Sequence, residues 1–165
     1  MTAHDEMLQT AAADADAALA RLDQVLAGIS DGDLHLASPS GGWTAAQYLS
    51  HANLAAILWL GDLERLRHDP DLSFFHREEI GHDVLGYPPP TVAIARAQVA
   101  STRRSVATCL PAVDPEILDR TVEIPDLGTM TVAEWTPLIM GHFAGHLQDV
   151  IDTLDSRGAL PGGSA

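Results

Sequence analysis

The chain has 165 residues, 46% of them apolar, which is the size of one ordinary domain with enough side chains for a single packed core. Nine basic residues, all of them Arg, stand against 23 acidic ones, a formal net charge of -14, so neither nucleic acid nor an anionic membrane surface is expected as a partner. The longest nearly uninterrupted apolar run, Leu54 to Leu60, is far short of the roughly 20 residues that span a bilayer, and the lone Cys109 excludes an internal disulfide or a Cys-rich zinc module.

The start, Met1-Thr-Ala-His-Asp-Glu, is acidic and polar and lacks the layout of a signal peptide, so a soluble, cytoplasmic protein is expected. Apolar residues at Met7, Leu8, Ala11, Ala15, Ala18, Leu19, Leu22, Val25 and Leu26 have helical spacing and predict a first helix from about His4 to a closing Gly28. Ile29 to Trp43 concentrates turn formers and reads as a loop. Thr44-Ala-Ala-Gln47 is a capping box that opens a second helix running to about Arg67. His68 to Pro90 holds Asp-Pro, two glycines and three consecutive prolines, a long connection with a short helical turn expected near Arg77 to Ile80. A third helix is expected from Thr91 to about Leu110, ended by Pro111 and Pro115. Val122, Ile124, Leu127 and Met130 suggest an extended or hairpin-like stretch. A second capping box, Thr131-Val-Ala-Glu134, then opens a fourth helix that reaches about Asp155.

The two capping boxes share a layout, Thr44-Ala-Ala-Gln47-Tyr48 and Thr131-Val-Ala-Glu134-Trp135, and each follows a helix, an acidic Leu-containing segment and a glycine. The chain therefore reads as one all-α domain over residues 1–165. It is expected to be an up-down-up-down four-helix bundle with long connections, its second and fourth helices running parallel.

The residues that carry chemistry are among the eight histidines. His142 and His146 are four apart, so on a helix both imidazoles project from one face and can reach a single ion. They lie on the stripe Trp135, Ile139, His142, His146 and Val150, expected to face the core, where imidazoles need partners. His51 lies on a similar stripe, Tyr48, His51, Ala55 and Leu58, seven residues past its cap. Pro137 either kinks the fourth helix or sits in its first turn behind Thr136, and the second case brings His142 level with His51 in parallel helices. Three His with no fourth protein ligand would leave a coordination position open, the layout of a catalytic divalent site. Zinc suits it, and imidazole also accepts nickel, iron or manganese. The other reading is a set of core histidines bonded to carbonyls or carboxylates.

Gly42-Trp-Thr-Ala-Ala-Gln-Tyr-Leu-Ser-His51, followed by Leu127-Gly-Thr-Met-Thr-Val-Ala-Glu-Trp135 and His142-Phe-Ala-Gly-His146-Leu-Gln-Asp149, resembles the DinB-like superfamily from about Asp5 to Arg157. The resemblance implies a four-helix bundle, commonly a homodimer, with one divalent metal held at His51, His142 and His146. It also implies chemistry on a small-molecule substrate. Characterised relatives use low-molecular-weight thiols such as mycothiol, bacillithiol or glutathione, as S-transferases or in a thiol-dependent maleylpyruvate isomerase. Abundant Ala and Arg without Lys favours mycothiol among these. Many members carry a further His directly before the last ligand, where this chain has Gly145. The alternative is a noncatalytic metal-binding or stress-related bundle.

Other residues weigh less. Arg103 and Arg104 could meet the carboxylate of a thiol cofactor, though adjacent helical arginines are usually solvated or paired. Asp149 could orient an imidazole or be a surface charge. Cys109 is expected to be an inert packing thiol, and Trp43 and Trp135 to brace the helix starts. His4, His35 and His68 are expected in solvent, and His76 or His82 could close over the site from the long connection.

Overall fold

The computed structural model describes residues 2–160 apart from 38, 40, 70, 73–87, 125 and 126. The turn expected at Arg77 to Ile80, and both His76 and His82, lie outside the described residues. Four long helices form the bundle: α1 (Ala3–Leu26), α3 (Ala45–Leu66), α4 (Val92–Cys109) and α6 (Val132–Asp155). Two one-turn helices, α2 (Asp31–Leu34) and α5 (Pro115–Leu118), precede α3 and α6, and the antiparallel pair β1 (Thr121–Ile124) and β2 (Gly128–Thr131) leads into α6.

Both expected capping boxes are present. Thr44 accepts from the Gln47 amide while the Gln47 side chain takes the Thr44 amide, and Thr131 and Glu134 do the same. The amide of Thr131, and then its hydroxyl, hold the Glu134 carboxyl below its usual range. Thr131 is thus the working cap and Pro137 lies inside α6, near enough to its start that only the donor to the Ala133 carbonyl is lost. Two more boxes, Thr2 with Asp5 and Ser30 with Asp33, open α1 and α2. Gly28 does not close α1 through a left-handed turn. The left-handed C-terminal glycine is Gly158 (φ 67°) after α6, where the Ala159 amide reaches back to the Leu154 carbonyl at 3.1 Å.

The helix directions differ from expectation. Arg157, just past the end of α6, donates to the Ala37 carbonyl ahead of α3 (2.6 Å). At the opposite end Arg120 accepts from the Val132 amide that starts α6 (2.9 Å) and donates to the Leu66 carbonyl that ends α3. So α3 and α6 are antiparallel, not parallel. On the other side Arg96 and Arg103 of α4 reach back to Asp23 and Asp16 of α1, which makes that pair antiparallel too. Asn53 meets Thr102 (2.9 Å) and Arg67 meets the Ala112 carbonyl (3.4 Å), so α3 and α4 run the same way. The four-helix bundle stands, but its order is up-down-down-up. The physical reason is the long connection: residues 67 and 91 lie at opposite ends of the bundle, separated by a helix length of about 33 Å for 22 residues.

The core runs along inner stripes at heptad-like spacing. On α3 it is Ala45, Leu49, Ala52, Ala56, Trp59, Leu63 and Leu66, met by Leu19, Leu22 and Leu26 of α1 and by Leu147, Val150 and Leu154 of α6. Each fully buried Leu contributes roughly 1.5–3 kcal/mol of transfer free energy. The stripe Tyr48, His51, Ala55 and Leu58 is therefore not the core face of α3. It lies beside that face, at the α3–α6 seam, and Leu58 is exposed.

Candidate metal centre

His51 from α3 and His142 and His146 from α6 converge at one end of this seam, their ligand atoms all within 4.8 Å of one another. His51 Nε2 and His142 Nε2 are 3.2 Å apart. Two nitrogens each about 2.05 Å from one tetrahedral ion are about 3.3 Å apart, so this edge already has the span of a shared cation. The three rings stand nearly perpendicular to one another, with His146 centred 4.5 Å from His51 and 4.4 Å from His142. The antiparallel arrangement produces this convergence directly. His51 lies two turns from the start of α3, and that end of α3 meets the C-terminal half of α6.

The surroundings fit a cation. Asp149, one turn after His146, accepts a hydrogen bond from His146 Nδ1 at 2.9 Å, which leaves the Nε2 lone pair for an ion and strengthens it as a ligand. The sequence left Asp149 open between orienting group and surface charge. Trp43 packs its indole 5.1 Å from His51 and 6.1 Å from His146, and Tyr48 stacks on His146 at 5.9 Å and meets Trp43 edge-on. Burial, and then the Asp149 charge, push the Tyr48 phenol above its ordinary pKa, so it stays protonated beside the histidines. Trp43 does more than brace a helix start. No periodicity could reveal this, since it precedes α3 and reaches the site from outside the helical pattern. His51 and His146 are half-buried, whereas His142 is exposed, contrary to a core-facing stripe.

The remaining candidates lie elsewhere. Arg103 is bound to Asp16 on the α1–α4 side, and Arg104 lines the same 640 Å³ groove, so neither reaches the triad. A second groove of 590 Å³ between α1 and the start of α6 is likewise lined by none of the three histidines. Cys109 is exposed at the end of α4, not packed. His35 Nε2 is 3.2 Å from the Pro90 carbonyl, His4 is 3.6 Å from Asp119, and His68 is 3.6 Å from Glu64. Trp135 is buried at the start of α6. No described helix is long and apolar enough to cross a membrane.

No curated protein matches the chain. A solved structure does, described as YfiT from Bacillus subtilis, a probable metal-dependent hydrolase with an unusual four-helix bundle topology: 15% identity over 98% of this chain and 91% of that one, with a TM-score of 0.66. At that identity the likeness speaks for the fold. The sequence model of the DinB superfamily matches residues 14–150, which takes in all three histidines, and the chain belongs to that superfamily.

Proposed function

We propose that the protein is a metal-dependent enzyme whose centre, His51, His142 and His146, activates a low-molecular-weight thiol for S-transfer or isomerisation of a small electrophile. The observation that carries the metal reading is the 3.2 Å Nε2 to Nε2 edge together with the Asp149 carboxylate on His146 Nδ1. A divalent ion there, with zinc the best match to the donor set, supplies Lewis acidity and lowers the pKa of a thiol or water. The chain does the rest. Asp149 holds the proton on Nδ1 of His146 and so fixes which nitrogen faces inward. Trp43 and Tyr48 wall one side of the three rings and exclude water there. The Tyr48 hydroxyl keeps its proton and can donate a hydrogen bond to a bound thiolate or leaving group.

The thiol is the finer part of the proposal, and the chemistry of the site bears on it. Arg103 and Arg104 lie on the α1–α4 side, which favours a thiol of neutral body, such as mycothiol, over one that depends on carboxylates. Hydrolysis is the second reading, favoured by the description of YfiT, and water then takes the place of the thiol. Cobalt(II)-substituted protein separates them. The proposal expects a sulfur-to-cobalt charge-transfer band in the near ultraviolet on adding mycothiol, lost in His142→Ala. A spectrum unchanged by any thiol, with turnover of ester or amide substrates, would favour hydrolysis. Stoichiometric metal without thiol binding or turnover would favour the noncatalytic bundle.

A further inference from the structure

The surface that continues from the histidines along the α3–α6 seam is apolar, and holding a metal does not require this. Neighbours on one face of a helix are three or four apart, so His51 is followed on α3 by Ala55 and Leu58, while His142 is preceded on α6 by Leu138. Because the helices are antiparallel, both runs lead the same way, away from Trp43 and Tyr48. Leu58 is 39% exposed and Leu138 52%. These are two of the six large apolar side chains exposed among the described residues. The charge next along this face of α3 is Asp62, held by Arg65 at 3.1 Å, so that cation is already neutralised. Among the described residues no unpaired cation stands along this strip for an anionic group to meet, whereas an uncharged chain covers apolar surface. Two side chains of this exposure, with Ala55 between, offer a few hundred Å² at most, short of the about 800 Å² per partner that a stable dimer buries.

We propose that this strip is the substrate subsite: the molecule that reaches the three histidines carries an uncharged aliphatic or aromatic body that lies over Ala55, Leu58 and Leu138. The inference rests on the reading of the triad as a metal centre. Its test uses zinc-loaded full-length protein and hydroxamates, which bind zinc through one common headgroup. Affinities are measured by calorimetry for the acetyl, butyryl, hexanoyl and octanoyl members and for succinic monohydroxamate. Burying a methylene fully is worth a few-fold in affinity, and a half-open strip gives about two-fold, so the hexanoyl member is expected to bind on the order of ten-fold tighter than the acetyl one. The succinyl member, with its anionic end, is expected to gain nothing. Leu58→Ser and Leu138→Ser, both at exposed positions, are expected to flatten the series while zinc content stays the same. A flat series in the native protein, a tighter succinyl member, or a gradient that survives both substitutions overturns the subsite. A flat series together with a dimer that Leu138→Ser dissociates assigns the strip to a second copy instead. Protein that takes up no zinc overturns the metal reading itself, a failure visible before any tail is compared.

Discussion

The two ends of the α3–α6 seam are laid out alike and differ in chemistry. An antiparallel pair whose helices open with the same cap has an approximate two-fold axis, which here relates residues at an offset of 87, Thr44 to Thr131 and Tyr48 to Trp135. The same offset takes His51 to Leu138, and it takes Ala55 and Trp59 to His142 and His146. One end therefore presents three imidazoles backed by Asp149. The other presents Leu138, Ala55 and a Trp59 that is 5% exposed. Its indole Nε1 is buried without a hydrogen-bond partner among the described residues. At these matched positions the side chains decide the outcome: three imidazoles make a polar centre, whereas Trp59 joins the apolar packing and Leu138 stays exposed. The histidine end has a convergent donor set, and at the other Trp59 contributes stability through burial.

Substitutions at matched positions should separate these roles. The largest effect on folding is expected at the apolar end, where Trp59→Ala should cost about 3–5 kcal/mol in urea unfolding through the cavity it leaves. Zinc affinity should be unchanged, and a loss of metal in this variant would mean that the two ends are not independent. At the histidine end Asp149→Asn should lower zinc affinity about 10–100-fold in a chelator competition with little effect on the unfolding midpoint. Equal affinity would reduce the Asp149 contact to a surface pair. The two caps provide a finer comparison: Thr44→Ala and Thr131→Ala should each cost about 1 kcal/mol, and clearly unequal losses would contradict the equivalence of the helix starts. The smallest effect belongs to the α1–α4 seam. Its guanidinium hydrogen bonds hold the Asp16 and Asp23 carboxyls below their usual range, Arg103 acting on the first and Arg96 on the second. A depressed folded-state pKa means that the pairs contribute in full above the unfolded carboxylate value of about 3.9, and that this contribution is lost as pH falls below it and through the lower folded values. The stability gap between the native protein and Arg96→Gln should therefore be present at neutral pH and close in acid.

Much of this was legible in the sequence because it is local. The capping boxes at Thr44 and Thr131 place both helix starts to the residue, and the spacing of His142 and His146 puts two imidazoles on one face. Helix direction is not local. Two hairpins of similar layout can pack by translation or by a two-fold axis, and the length of the 68–90 connection fits either a return or a crossing. The chain takes the two-fold, so the parallel levels inferred for His51 and His142 picked residues that do come together, but through the wrong geometry. The same gap hid Trp43, which reaches the site from ahead of its helix, and left Arg103 and Arg104 as candidates although they lie on the α1–α4 side of the bundle. The core assignment of the His51 and His142 stripes failed for a related reason. The α3 stripe lies one position off the buried face, and the α6 stripe runs along its edge, with Trp135 and Val150 buried but His142 exposed; a seam residue and a core residue have the same period.

The most direct test of the centre is the metal content of the purified protein, measured by mass spectrometry for the native chain, His51→Ala and His142→Ala side by side. The account predicts about one divalent ion per native chain and loss of stoichiometric metal in both variants, with helical content retained. A native protein that takes up no metal even after reconstitution with zinc and nickel, or variants that keep it in full, would contradict the assignment of the triad as a metal centre.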